Sequence, residues 1–376
     1  MSRCSGKFVG LLAFLLSTPV WSDTPSERHG TIEIVQPGIQ VRGGFTLTFQ
    51  HATLPGVRNE GLGSFDLVSV MPWRAGHWTL YVEGNLSPRT DGVATRLPQV
   101  NADAGSALDG DGAGRLQVSE LRYSRRFGKR LLSLGLIDPT DMLDNSAVAN
   151  DETQQFLNRA LVNNPLIEFP DYTLGLSWHR DVEPNRLDLT AFLGSSHGLA
   201  DNPDASYAQL VDVGAPGKGV FLALETYWRS RASLLRLGGW LNSAPHPRID
   251  APTRTTTNQG LYAVYDLRQG NGLWMLRIGM ANGAVASHDR FLSLATSWPV
   301  GMAEAGVGVA WSGHARHATS DTEDEWTAEA YLRISSRGNL QWTPGIQWLR
   351  HPGSSVAGTQ RQAAIWVFSL RVNYLF

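Results

Sequence analysis

The sequence predicts an all-β fold: a transmembrane, antiparallel, up-and-down β-barrel of about sixteen strands. Three observations indicate this fold. Apolar and polar residues alternate in many short segments, the connections between these segments are alternately short and long, and the last segment alternates up to the final residue. Successive side chains of a strand point to opposite faces, so alternation gives each strand one face for lipid and one for a wet lumen.

Residues 1–22 are predicted to be a secretory signal peptide. Arg3 and Lys7 precede an apolar run over residues 8–16, and small residues follow up to a cleavage site before Asp23. The run is shorter than the roughly 20 residues that a spanning helix needs. Residues 23–376 would then form the barrel domain in the outer membrane of a Gram-negative bacterium. The single cysteine, Cys4, would leave with the signal, so no disulfide or cysteine metal site is expected.

Composition agrees with a barrel and excludes some partners. The 13 Trp and 39 Gly residues suit many short strands with aromatic girdles. The formal net charge of −2 gives no electrostatic basis for binding nucleic acid. We expect no cofactor.

The first and last predicted strands show the alternation most clearly. In residues 39–50, Phe45, Leu47 and Phe49 alternate with polar residues, and in residues 363–376 Tyr374 and Phe376 end one apolar face. Phe376 is also the residue through which we expect recognition by the barrel assembly machinery. The complete set of predicted strands is 39–50, 64–71, 77–86, 116–127, 130–137, 173–180, 186–193, 219–229, 233–241, 259–267, 273–282, 290–298, 304–312, 325–334, 339–350 and 363–376.

Short and long connections alternate along the chain. The short ones are rich in Gly, Pro, Asn and Ser, as tight turns require, and cover residues 72–76, 128–129, 181–185, 230–232, 268–272, 299–303 and 335–338. The long ones cover residues 87–115, 138–172, 194–218, 242–258, 313–324 and 351–362. Barrels of the outer membrane place long loops outside the cell and short turns in the periplasm. A Greek-key sandwich has no reason to alternate in this way.

The longest connection, residues 138–172, is predicted to fold into the barrel as a constriction. Loops of this length are usually functional, and residues 152–161 have the apolar spacing of a short helix. The alternative is a cap outside the barrel. The residues predicted to form the constriction are Asp138, Asp141, Asn150, Asp151, Phe156, Asn158 and Asn164.

In each strand, every second residue faces the lumen, and we call these positions the inward parity. The polar residues at these positions are predicted to line the pore. An arginine on the lipid face near the bilayer midplane would cost about 2–4 kcal/mol, so these residues belong inside. They would either contact solute through charge-assisted hydrogen bonds and stacking, or form salt bridges that stiffen the wall. They are Arg42, Tyr81, Glu83, Glu120, Arg122, Glu225, Tyr227, Arg236, Arg277, Glu329, Tyr331, Arg333, Gln347 and Arg371.

Catalytic and metal sites are not expected. Ser195, Ser196 and His197 are adjacent, but no Gly-x-Ser-x-Gly elbow accompanies them. The loop with Asp109 and Asp111 lacks the closing Glu of a calcium loop, and residues 214–219 lack the spacing of a phosphate loop. A second acidic loop could hold a metal but more commonly is solvated; it contains His314, His317, Asp321, Glu323 and Asp324.

Two separated groups of motifs resemble the carbohydrate-selective porin family of Gram-negative outer membranes, the OprB type. The first group consists of Gly135-x-x-Asp138-Pro139-x-Asp141, Ala149-Asn150-Asp151, Gln155-Phe156-Leu157-Asn158, Asn164-Pro165 and Phe169-Pro170. The second consists of Glu329-x-Tyr331, Pro344-x-x-Gln347-Trp348 and His351-Pro352-Gly353. Residues 30–38 depart from the family, because they are short and lack its Gly/Trp-rich segment with an arginine.

The resemblance implies a passive pore for monosaccharide-like sugars that works as a monomer. Selectivity would come from pore width and lining dipoles rather than from tight binding, because a solute must also leave. Two alternatives remain open. The nearer one is a general or weakly anion-selective porin, and the remoter one is a barrel enzyme or a surface-binding barrel.

Overall fold

The computed structural model describes residues 38–86, 88–104, 114–180, 187–199, 207–317, 323–336, 339–352 and 364–376. The predicted signal peptide lies outside these residues. Within them the chain forms strands β1 to β16, which are, in order, Gln40–Ala52, Glu60–Trp73, Gly76–Asn85, Arg115–Phe127, Arg130–Ile137, Thr173–Arg180, Leu187–Ser195, Val220–Arg229, Ser233–Pro247, Thr255–Gln269, Gly272–Ala281, His288–Val300, Ala303–His314, Glu325–Ser335, Leu340–Arg350 and Ile365–Leu375.

Every strand pairs antiparallel with its sequence neighbour, and β16 pairs with β1, so the sheet closes into a barrel. At the seam, Gly43 and Phe376 exchange backbone N–H···O hydrogen bonds of 3.0 Å. An added Cβ at Gly43 would lie 2.8 Å from the ring of Phe376, so the ring packs where only glycine leaves room. The predicted all-β, sixteen-strand antiparallel barrel is confirmed.

The alternation separates the two faces of the wall as predicted. On β1, the apolar side chains of Phe45, Leu47 and Phe49 are each about half exposed on the outside. Thr46 and Thr48, between them, are only 3% and 2% exposed. The outer surface of the barrel is therefore apolar, because a strand in a closed sheet turns every second residue outward.

The predicted long connection over residues 242–258 is wrong. β9 continues to Pro247 and β10 begins at Thr255, leaving residues 248–254 between them. The apolar pattern ends at Leu241, but the two strands stay paired beyond it, at Thr256 and His246 for example, with a register shift before Asn258. The strands extend because backbone pairing does not need apolar side chains once it leaves the lipid-facing band.

The predicted helix over residues 152–161 is also wrong. Only a single helical turn forms in this region, α2 at Arg159–Val162, as short as α1 at Val93–Arg96. Asp151 instead accepts hydrogen bonds from the backbone N–H groups of Thr153 and Gln154, and Asn158 caps α2 by accepting from Ala160 N–H. Such side-chain bonds compete with a continuous helix. No helix in the described part of the chain has the length and hydropathy to cross a membrane.

Candidate functional site in the barrel lumen

Arg277 of β11 holds the segment of residues 138–172 by its backbone. Its guanidinium donates to the carbonyl oxygens of Leu161, Asp144 and Ala149 at 2.8, 2.8 and 3.0 Å. Its Nε lies 3.1 Å from Asp144 Oδ1, and both side chains are fully buried. The inward orientation of Arg277 agrees with the predicted parity, but its donors are engaged by the segment itself.

Glu225 of β8 provides a second attachment, on the neighbouring part of the wall. Its Oε2 accepts from Asp144 N–H and from the Tyr262 hydroxyl, both at 2.8 Å. Arg236 lies 3.9 Å from the other oxygen of Glu225 and donates to Asp266 Oδ2 at 3.1 Å. The carboxylate and the arginine therefore form a buried polar network behind the segment.

Tyr227 and Ser146 extend this network. The Tyr227 hydroxyl donates to the carbonyl of Met142 at 3.1 Å. Ser146 donates to Asp266 Oδ1 at 2.6 Å. The network thus reaches β10 as well as β8.

Glu329 of β14 provides a further attachment, three strands away from Arg277 along the wall. Its two carboxylate oxygens accept from the backbone N–H groups of Leu157 and Asn158, each at 2.8 Å. The side-chain amide of Asn158 donates to Thr327 Oγ1 and to Gln347 Oε1 at 3.0 and 2.9 Å. A buried carboxylate that receives two N–H groups fixes the backbone that carries them.

Arg333 and Arg371 hold the part of the segment that precedes Phe156. Arg333 donates to the carbonyl of Gln154 at 3.1 Å and pairs with Glu304 at 3.0 Å. Arg371 donates to the carbonyls of Glu152 and Gln155. Two of the predicted pore arginines thus bind the segment's backbone.

Phe156 packs beside these arginine contacts. Its ring meets that of Tyr331 edge-on, with centroids 5.0 Å apart, and the Tyr331 hydroxyl donates to Glu304 at 2.9 Å. Asn150 is nearly buried, and its N–H donates to Gln155 Oε1 at 2.8 Å. Asn164 is 1% exposed, and its N–H donates to Asp144 Oδ2 at 2.7 Å.

Glu120 and Arg122 of β4 lie where the segment begins. Glu120 Oε1 accepts from Asp138 N–H at 2.9 Å. Arg122 lies 3.3 Å from Glu120 Oε1 and 3.8 Å from Asp141 Oδ2. Asp138 turns its carboxylate back on the chain and accepts from Thr140 N–H at 2.8 Å.

Three predicted pore residues lie on β1 and β3. The Tyr81 hydroxyl donates to Asp66 Oδ1 at 2.6 Å. Glu83 accepts from Asn85 and Ser119 at 3.1 and 2.9 Å. Arg42 has the inward parity of β1 and is half-buried. Contact of any predicted pore residue with solute stays a prediction.

The connection after β3 also contacts inward-facing residues, which the sequence analysis did not foresee. Val100 accepts through its carbonyl from Gln50 and Gln347 at 3.2 and 2.9 Å. Val93 and Leu97 are fully buried against inward residues of β1, β15 and β16. The apolar residues of this connection could have indicated that it packs against the wall, because valine and leucine are most often buried. The acidic tip with Asp109 and Asp111 lies outside the described residues.

The inward face also carries apolar side chains beside the polar residues named from the sequence. On the strands from β7 to β13, large apolar side chains point inward and form a cluster with residues of the 138–172 segment. Phe221, Met275 and Phe291 belong to the wall, and Phe156 and Leu161 to the segment. Apolar side chains are stable on the inner face there because the segment, rather than water, covers them.

Two inward glycines make room for the segment. A Cβ added at Gly308 would lie 2.9 Å from Leu161, and one at Gly279 would lie 2.3 Å from the amide of Asn164. Any larger residue would displace the segment from the wall. The close approach explains why glycine occupies these two positions on the inner face of β11 and β13.

A cavity of about 530 Å³ lies between the two connections that contact the inner wall. Pro98 and Ala102 line it from the connection after β3, and Asn163 and Tyr172 from the segment after β5. Ser312 at the end of β13 also lines it. The cavity therefore lies toward the side of the long connections.

The residues weighed for catalysis and metal binding have other contacts. Ser196 Oγ lies 3.1 Å from His197 Nδ1 and accepts from Gly219 N–H at 2.9 Å. His314 Nδ1 lies 2.7 Å from Asp324, and His317 lies 3.8 Å from Asp250. No group of three metal-ligating residues occurs in the described part of the chain. Asp321 lies outside it.

Solved porin structures share this fold. The chain superposes on OprB of Pseudomonas putida with a TM-score of 0.68 and 13% identity, over 90% of this chain and 94% of that one. Two variants of the Rh. blastica porin superpose with TM-scores of 0.52 and 0.53 at 11% identity, over 90% of this chain and 100% of theirs. At these identities the likeness establishes the fold, a sixteen-strand porin barrel.

Sequence comparisons add little to this. The chain matches no known family model. It is 33% identical over 89 residues to an uncharacterised protein of Aquifex aeolicus, a match that covers 24% of this chain and 29% of that protein.

Proposed function

We propose that the chain is a passive diffusion porin of the Gram-negative outer membrane that admits carbohydrates through a lumen narrowed by residues 138–172. The observation that carries the proposal is the attachment of this segment to charged, inward-facing residues on several sides of a closed barrel, such as Arg277 and Glu329. An apolar outer wall suits lipid, and the porin fold is one that houses water-filled channels.

The attachments support a fixed constriction. Hydrogen bonds to charged groups contribute about 1.5–3 kcal/mol each. Here they hold main-chain atoms at intervals from Asp138 to Leu161. A fixed segment sets one pore width. The motifs that resemble the carbohydrate-selective family include Asn158 and Gln347, which bond each other at 2.9 Å. That contact joins the two separated motif groups in space and supports the family assignment.

The proposal includes export by the predicted signal peptide, a monomeric barrel and diffusion without a cofactor or a chemical step. The fold likeness favours a channel over an enzyme. Sugars and other small hydrophilic solutes would be its cargo.

Liposome swelling tests the proposal. Liposomes with the purified barrel should swell in isotonic pentose and hexose solutions and progressively less in disaccharide and trisaccharide solutions, as a fixed constriction requires. Liposomes with heat-denatured protein are the control. Swelling no faster than the control for all sugars would overturn the proposal, and swelling that depends on size alone for sugars and non-sugars would indicate a general porin.

A further inference from the structure

The cavity between the two connections is strongly acidic. Its described lining has six carboxylates and one arginine, Arg159, and one of the six, Glu168, also contacts His246 Nε2 at 2.8 Å. The carboxylates are those of Glu83, Asp138, Glu152, Glu168, Asp171 and Glu325. They come from β3, the 138–172 segment and β14, so the tertiary structure collects them.

The cavity also has groups that suit the hydroxyl groups and the carbon skeleton of a sugar. Thr140 lines it, is 3% exposed and has a hydroxyl with no hydrogen-bond partner among the described residues. Phe169 and Tyr172 line it as well, and aromatic rings are groups that contact the apolar side of a sugar. A volume of about 530 Å³ is within the usual range for small-molecule sites.

Low-dielectric walls strengthen the field of such a group of charges. A cleft lined by charges of one sign raises the local concentration of oppositely charged solutes by about tenfold or more. The carboxylates would therefore attract cations and repel anions before a solute reaches the constriction.

We propose that this cavity is an entry site for amine-bearing carbohydrates and makes the pore prefer cations. The ammonium group would bind the carboxylates, while the hydroxyls and the apolar face of the ring would meet Thr140 and the aromatic side chains. The inference rests on the proposed function, whose solute class it narrows, and it opposes the anion-selective alternative.

Labelled solutes of equal size test the inference. At pH 6 and low salt, proteoliposomes should take up glucosamine at least about threefold faster than gluconate, with glucose between them. In a KCl gradient, the permeability ratio of K⁺ to Cl⁻ should exceed about 3 and should fall as salt screens the charges. Equal uptake of the three solutes, or a preference for Cl⁻, overturns the inference and leaves the sugar porin intact. No uptake of any solute overturns the proposed function itself.

Charge variants locate the effect in the cavity. The triple variant Glu152→Gln, Glu168→Gln and Glu325→Gln should bring the K⁺ to Cl⁻ ratio to within about twofold of unity. The matched control replaces three carboxylates of the long connections outside the cavity, as Asp91→Asn, Asp212→Asn and Asp250→Asn, and should keep the wild-type ratio. Arg159→Gln, which removes the opposing charge from an exposed side chain, should raise the ratio. Equal ratios in the triple variant and the control would overturn the assignment of the cation preference to this cavity.

Discussion

At the scale of single residues, the charged groups of the inner wall mainly hold protein. Arg277, Arg371 and Glu329 each bind main-chain atoms of the 138–172 segment. Sequence reasoning offered two uses for such residues, solute contact and a salt-bridge lattice. The structure adds a third use, which is to hydrogen-bond the main chain of the segment. A loop without regular structure needs such partners for its buried backbone N–H and C=O groups.

Replacing Arg277 tests this use. Arg277→Met should lower the free energy of unfolding by about 3–5 kcal/mol, because it leaves the buried carboxylate of Asp144 without the arginine that balances its charge. It should also increase single-channel conductance, since the segment loses three backbone attachments. Planar-bilayer recording and denaturant unfolding measure the two effects. Arg350→Met, at an exposed position on β15, is the control, and equal conductance in the two variants would contradict the anchoring role.

The stability of the folded protein should depend on pH through the side chain of Asp103. Burial raises the pKa of Asp103 to about 7 from 3.8, although a hydrogen bond from Ser64 opposes the shift. The folded state therefore binds this proton more tightly than the unfolded state. The resulting stability is fully present below pH 3.8 and is lost as the pH rises through about 7.

The melting temperature of the wild type in detergent should therefore fall between pH 5 and pH 8, and Asp103→Asn should reduce that fall. Thermal unfolding is measured by circular dichroism, as the loss of the β-sheet signal with temperature. Asp212→Asn, at an exposed position, should leave the wild-type fall unchanged. An equal fall in Asp103→Asn and the wild type would show that another group is responsible.

At the scale of elements, strands and connections follow different rules. The strands are specified locally, because lipid outside and the interior inside impose alternation on each of them. The connections are specified by distant partners, as when Asn158 meets Thr327 and Gln347. β16 shares features of both, because its residues alternate but its pairing with β1 joins strands more than 300 positions apart, as at Gln50 and Ser369.

Phe376, beyond the end of β16, is the place to test assembly. Its ring packs 5.9 Å from that of Phe45 at the seam. Phe376→Ala should reduce the amount of folded barrel in cells severalfold but reduce spontaneous folding into lipid vesicles only slightly, if the assembly machinery recognises this residue. Phe368→Ala is the control, because Phe368 is an outward aromatic residue of β16 with the same exposure as Phe376, 47%. Equal yields of the two variants in cells would contradict the recognition role.

At the scale of the whole molecule, the barrel has an apolar outer surface and a mixed inner surface. The inner surface combines buried charged residues such as Arg277 with apolar clusters, one covered by the 138–172 segment and one by the connection after β3. The outer surface is uniform because lipid surrounds it, whereas the inner surface is matched to whatever covers each part of it.

The depth of an outward residue in the bilayer should set the cost of a charge there. Leu294 and Val300 both point outward from β12, Leu294 near its middle and Val300 at its end. Leu294→Arg should cost about 2–4 kcal/mol of stability in lipid vesicles, and Val300→Arg about 0–1 kcal/mol. Denaturant titration measures both. Equal costs would contradict the placement of β12 across the membrane.

The sequence predicted some strands to the residue, as at β5 and β6, both of which begin and end where expected because turn or loop residues bound them on each side. It failed where strands left the lipid band, as at β9 and β10, since polar residues there carry no alternation signal. It placed candidate site residues on the inner face by parity. It could not assign their partners, because Glu329 and Asn158 are 171 positions apart.

By itself, the sequence determined the closed antiparallel barrel, its lipid-facing residues and the inward parity of its charges, because these depend on the period of a strand and on the solvent at each face. Only the tertiary structure decided which inward residues bind the 138–172 segment, which are covered by apolar side chains and which carboxylates gather around one cavity. Those outcomes depend on contacts between residues far apart in the chain, which no local pattern records.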